Sequence, residues 1–163
     1  MLPAKDDLEG RVGGLLDAQG LTLAIAESCT GGLVGHRVTN VPGSSAYFRG
    51  SVTAYARDVK ESLLHVQGET LARHGAVSEQ TAREMAQGVR RVVRADVGIS
   101  VTGIAGPTGG TADKPVGLVY VGLVAPDGMW VRRYVFDGDR LENKACSAEA
   151  ALDLLRQYLE GVL

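Results

Sequence analysis

Two glycine-rich stretches each follow directly on a short apolar run, and this arrangement constrains the fold more than any other feature of the chain. Leu21 to Ala26 leads into Glu27-Ser28-Cys29-Thr30-Gly31-Gly32, and Val97 to Val101 leads into Thr102 to Gly110. A short apolar run bounded by turn residues reads as a buried strand. Glycine-rich loops at the carboxyl ends of such strands are where α/β proteins place ligands.

The rest of the chain supplies helices to cover those strands. Leu8, Val12, Leu15 and Leu16 recur at helical spacing, with Gly20 as the stop. The pattern is helical again from Thr30 to Val38, and Val41-Pro42-Gly43-Ser44-Ser45 is a loop. Phe48 to Tyr55 alternates and is rich in strand formers, a short helix is predicted from Arg57 to Val66, and Leu71 to His74 makes a further helical turn. Ser78 can cap a helix whose apolar stripe is Ala82, Met85, Ala86, Val89, Val92 and Val93. Val116 to Val124 and Met129 to Phe136 read as a hairpin across Pro126-Asp127-Gly128. Asp139 and Glu142 have the spacing of a capping box, and Leu141, Ala145, Ala148, Leu152, Leu155 and Leu159 then line one helical face. Helices and strands that alternate before a closing hairpin and helix predict an α/β fold, a three-layer α/β/α sandwich on a mixed sheet. With no linker or repeat, residues 1–163 are expected to form a single domain.

Charge and cysteine usage narrow the function class. The net charge is -2, which argues against a dedicated nucleic-acid binder. Arg90, Arg91 and Arg94 cluster on a helical pattern and read as a solvated face. Met1 to Asp7 is polar and lacks the apolar core of a signal peptide. No apolar run approaches the roughly 20 residues that span a bilayer. The expectation is a cytoplasmic protein, with no membrane or nucleic-acid partner and with Cys29 and Cys146 reduced.

The Ser28 loop carries the first candidate chemistry. A serine at a strand-to-helix turn is exposed at the sheet edge, and amides of Thr30, Gly31 and Gly32 near a helix start can hold an oxyanion or a phosphate. The same residues also suit a plain N-cap. The second loop, Ser100 to Gly110, fits neither a phosphate-binding loop ending in Lys-Ser/Thr nor the dinucleotide glycine spacing. Two loops of this kind tend to meet in one crevice. Glu27 can be a ligand, a base or a hydrogen-bond acceptor for nearby amides. Cys29 is the rival nucleophile, since a thiolate at a helix start is activated. A serine needs a base. His36, His65 and His74 read as structural or exposed, whereas a buried lysine can serve once desolvation lowers its pKa. Tyr55-Ala56-Arg57-Asp58-Val59-Lys60 offers one. No His-x-x-x-His, Cys-x-x-Cys or tight carboxylate cluster is present, so no metal or cofactor is expected.

Ala26-Glu27-Ser28-Cys29-Thr30-Gly31-Gly32, Val41 to Ser45, Gly75-Ala76-Val77-Ser78, Val101 to Pro107 and Lys114-Pro115-Val116-Gly117 together resemble the CinA C-terminal domain family. The resemblance runs in order from about Leu8 to Leu159. It implies a mixed, mostly parallel five-stranded sheet. It also implies a metal-free amidohydrolase that converts nicotinamide mononucleotide to nicotinic acid mononucleotide and ammonia. By the same resemblance Ser28 and Lys60 are the catalytic pair and Tyr55 belongs to the site. The family pattern after the tyrosine, Ser-Asn-x-x-Lys, is replaced by Ala56-Arg57-Asp58-Val59-Lys60, which suggests that Arg57 reaches toward phosphate or a partner subunit.

The resulting expectation is a mechanism in which neutral Lys60, relayed by Tyr55, deprotonates Ser28, with amides from Thr30 to Gly32 holding the oxyanion. Thr102, Gly103, Gly106 and Arg140 are the candidates for ribose and phosphate contacts. Two other readings stay open: a nucleotide-sensing module without turnover, and an interaction domain using the last helix. The expected partners are a small-molecule nucleotide and further copies of the chain, as a homodimer or higher homo-oligomer.

Overall fold

The computed structural model describes residues 7–163. The polar N-terminal segment therefore lies outside the described residues except for Asp7, which caps the first helix by accepting from Gly10 N. In chain order the elements are α1 (Leu8–Gln19), β1 (Leu23–Glu27), α2 (Leu33–Thr39), a 3-10 turn (Ser44–Ala46), β2 (Phe48–Thr53), α3 (Arg57–Leu64), α4 (Gly68–His74), α5 (Glu79–Val93), β3 (Val97–Gly103), β4 (Leu118–Ala125), β5 (Gly128–Val135) and α6 (Arg140–Leu159).

The sheet order is β2-β1-β3-β4-β5. β1 is parallel to both β2 and β3, β4 runs against β3, and β5 runs against β4, so four of the five strands point the same way. This is the expected mixed, mostly parallel sheet of an α/β fold. α1, α2 and α6 pack together on one face, and α3, α4 and α5 on the other. The chain leaves β1 for β2 on one side and returns across it to β3 on the other, which opens a crevice at the carboxyl ends of these strands.

All five residues of β1 are buried, because both faces of this central strand are covered. Leu23 and Ile25 join the core beneath α1 and α6. Ala24 and Ala26 face Met85 and Val89 of α5. Small residues on that face let α5 lie directly on the backbone. A β-carbon on Gly98 would collide with the carbonyl oxygen of Ala86, so the approach requires glycine.

Three expectations shift. α2 begins at Leu33 rather than Thr30, because Thr30 to Gly32 form a turn with Gly31 and Gly32 at positive φ. The hairpin pairs Ala125 with Gly128, so Gly128 opens β5 instead of belonging to the turn. The expected apolar stripe of α6 fails at its start. Leu141 is 73% exposed, and Asn143 and Ser147 are buried in its place. Asn143 Nδ2 donates to Ala105 O at 3.0 Å, so this end of α6 is anchored to the loop after β3 by a polar contact. The Asp139–Glu142 capping box forms as expected.

Candidate active site

Strand alternation sorts Glu27, Ser28 and Cys29 onto different sides. Successive side chains of a strand point to opposite faces, and the alternation of β1 carries past its end. Glu27, in phase with Leu23 and Ile25, turns toward α2. Its fully buried carboxylate accepts from Thr30 Oγ1 at 2.5 Å, Gly32 N at 3.0 Å, Val34 N at 3.1 Å and Gly35 N at 2.9 Å. Cys29 turns the same way and is buried in the core beneath α1 and α6. Burial pushes its thiol up to about 11, so it is a poor nucleophile near neutrality. Ser28 turns the other way, toward α3.

There it meets Lys60. Lys60 stands on the first turns of α3, is 1% exposed, and donates from Nζ to Ser28 Oγ at 2.9 Å. Its other donors go to the carbonyls of Ala54 at 2.8 Å and Tyr55 at 3.0 Å. Burial without a carboxylate partner lowers its pKa to about 8. The two carbonyls can retain two N–H bonds on a neutral amine, and the lone pair is then aimed at the Ser28 hydroxyl.

The other predicted site residues are distributed differently from the expectation. Gly31 N donates to Ser28 O at 3.1 Å and Gly32 N to Glu27, so these two amides are engaged within the loop. Among the described residues, the amides of Cys29 and Thr30 have no protein acceptor. Tyr55 contributes its carbonyl to Lys60, but its side chain is 62% exposed and its hydroxyl pairs with Arg140 Nη2 at 3.2 Å. A proton relay through that hydroxyl is therefore not formed.

The loop after β3 is held by internal contacts. Thr102 is buried and its Oγ1 donates to Ala76 O at 2.7 Å, tying β3 to the turn before α5 rather than facing the crevice. Gly103 lacks a side chain because β4 passes too close at Leu118 and Val119. Gly106 adopts φ +85° and packs on Val116, and its carbonyl accepts from Arg140 Nη1 at 2.6 Å. Arg140 thus bridges the β3 loop and Tyr55, with a cavity of about 510 Å³ between Pro107, Val116 and Leu141 beside it. Arg57 is exposed, and its Nη2 donates to Leu71 O at 2.6 Å, which ties α3 to α4.

One residue was missed. Lys144 lies one helical turn after Arg140, and its Nζ stands 3.8 Å from where a Gly31 side chain would begin. The i, i+4 spacing of the two cations on α6 was the signal that could have found it. His36, His65 and His74 are exposed, as expected. Among the described residues, no three His, Cys, Asp or Glu side chains gather to hold a metal ion, and no helix is long and apolar enough to cross a membrane.

Comparison with known proteins bears on the family and the fold. Residues 5–159 match the model of the CinA C-terminal domain. A Halothermothrix orenii protein named for competence-damage inducibility is 54% identical over 155 residues, 94% of this chain and 37% of its own length. The chain thus spans less than two-fifths of the curated relatives it matches. A CinA superfamily protein of Klebsiella pneumoniae superposes with a TM-score of 0.92 at 32% identity, covering 98% of this chain and 99% of its own. A competence/damage inducible protein of Agrobacterium tumefaciens gives 0.89 at 39% identity, with 98% of both chains covered. The chain belongs to the CinA C-terminal domain family.

Proposed function

We propose that this domain is a serine amidohydrolase that deamidates nicotinamide mononucleotide to nicotinic acid mononucleotide and ammonia. The observation that carries the reading is the Lys60 Nζ–Ser28 Oγ contact of 2.9 Å in a buried setting. Neutral Lys60 takes the Ser28 proton as Oγ attacks the carboxamide carbon. The uncommitted amides of Cys29 and Thr30 are the available donors for the oxyanion. Lys60 then returns the proton to the leaving nitrogen, ammonia departs, and an acyl ester remains on Ser28. Lys60 next deprotonates water, which adds to the ester carbon. Collapse breaks the acyl–Oγ bond, releases the acid and restores Ser28. Arg140 and Lys144 supply the positive charge that a phosphorylated substrate requires.

The test is ammonia release from nicotinamide mononucleotide by the wild-type chain and by Ser28→Ala. Turnover that disappears in Ser28→Ala supports the proposal. Nucleotide that binds wild type without ammonia release overturns it in favour of a sensing module.

A further inference from the structure

At the opposite end of the sheet, the last turns of α5 present Gln87, Arg90, Arg91 and Arg94 around a cavity of about 410 Å³ bounded also by Ala95 and Val124. Their spacing puts them on one helical face. The sequence reads this cluster as a solvated face, but here it surrounds a concavity of ligand size. Among the described residues, the ion pairs of arginine involve Arg11, Arg37, Arg73, Arg83 and Arg156, so none of these three guanidiniums has a carboxylate partner.

Like charges three and four residues apart on a helix repel. Carbonyl capping does not account for them. The carbonyls of Arg90 and Arg91 already accept from the Arg94 amide, and that of Val93 from Arg49 Nε. Arg94 also adopts φ +58°, a left-handed position where glycine ends a helix at lower cost. Arg90 is braced by its Nε, which donates to Asp96 O at 2.7 Å, and its Nη nitrogens have no protein acceptor among the described residues. With a net charge of -2, the attraction for an anion is a local property of this cavity.

We propose that this cavity binds an oligophosphate, free or carried on a nucleotide, at a site separate from Ser28. Planar guanidiniums bind phosphate oxygens in pairs, and three of them with Gln87 match a chain of phosphates better than a single carboxylate. The inference does not depend on the reading of Ser28 as a nucleophile.

The experiment is calorimetric titration of inorganic triphosphate and of adenosine triphosphate. It compares wild type, Arg91→Ala/Arg94→Ala and Arg140→Ala/Lys144→Ala. Both replaced α5 arginines are exposed, so the first variant keeps the fold, which circular dichroism verifies. Wild type is expected to bind one equivalent with an affinity that falls as salt rises. Arg91→Ala/Arg94→Ala should lose at least about tenfold in affinity, as expected for lost charge-assisted bonds. Arg140→Ala/Lys144→Ala should bind as wild type does. Equal affinity for the two probes assigns the cavity to the phosphate chain alone, and tighter nucleotide binding adds a contact of the nucleoside with Ala95 and Val124. No binding to wild type at low ionic strength overturns the proposal. So does binding that survives Arg91→Ala/Arg94→Ala and is lost in Arg140→Ala/Lys144→Ala.

Discussion

The carboxylate of Glu27 and the hydroxyl of Ser28 are neighbours in the chain but lie on opposite faces of the sheet. Glu27 accepts four hydrogen bonds from the turn and first amides of α2, while Ser28 meets Lys60 of α3. The acid holds the loop, and the serine is left with the buried amine of Lys60 as its side-chain partner among the described residues. Cys29 follows Glu27 into the core, away from the side on which Ser28 meets Lys60.

Ser28→Ala is expected to lower amidase activity at least about a thousandfold, the scale of losing a nucleophile. Cys29→Ala should keep kcat within a few-fold and lose about 1–2 kcal/mol of stability, because it removes a buried sulfur from a packed core. Steady-state ammonia release and urea unfolding of both variants measure this. A Cys29→Ala enzyme as inactive as Ser28→Ala would contradict it.

The pH profile follows from Lys60. Burial disfavours its charged form and brings its pKa down to about 8, and only the neutral amine can accept the Ser28 proton. On the acid side, kcat/KM should therefore rise with pH, about tenfold per unit, and level off above about 8. Lys60→Arg places a permanent cation there and should abolish turnover at every pH. A flat wild-type profile from pH 6 to 9 would remove Lys60 as the base.

The alternation of β1 and the two glycine loops were legible in the sequence, and with them the sheet and the position of Ser28. What was not legible depends on how helices approach those loops. Ser28 and Lys60 are 32 residues apart, and only the docking of α3 brings them together. The inward turn of Asn143 and Ser147, at the expense of Leu141, follows from the carbonyl that Ala105 offers to α6. Thr102 looked like a ligand contact because hydroxyls at strand ends often are, but the nearest acceptor is the carbonyl of Ala76.

Arg57→Ala tests that same distinction at the place where the family pattern changes. Its guanidinium joins α3 to α4 through Leu71 O. The variant should lose about 1 kcal/mol of stability, the net worth of such a bond, while KM for the nucleotide stays within twofold. Urea unfolding and substrate titration check the two halves separately. A rise in KM of tenfold or more with unchanged stability would return Arg57 to the binding site.

Glu27→Gln keeps the shape of the side chain and removes its charge. All four of its partners are donors, and an amide nitrogen turned toward them can accept from none. Two of these, Gly32 N and Val34 N, share one oxygen with the Thr30 hydroxyl, and Gly35 N uses the other. Either orientation of the glutamine therefore leaves at least one buried donor facing another. The expected cost is about 2–4 kcal/mol of unfolding free energy, since unsatisfied buried groups cost more than a made bond contributes. Because the same carboxylate fixes the turn carrying Cys29 and Thr30, kcat should fall with the stability while Lys60 retains its titration near 8. Chemical denaturation together with the pH profile of the variant measures both. A Glu27→Gln protein with wild-type stability and turnover would mean that the loop holds its shape without the buried charge.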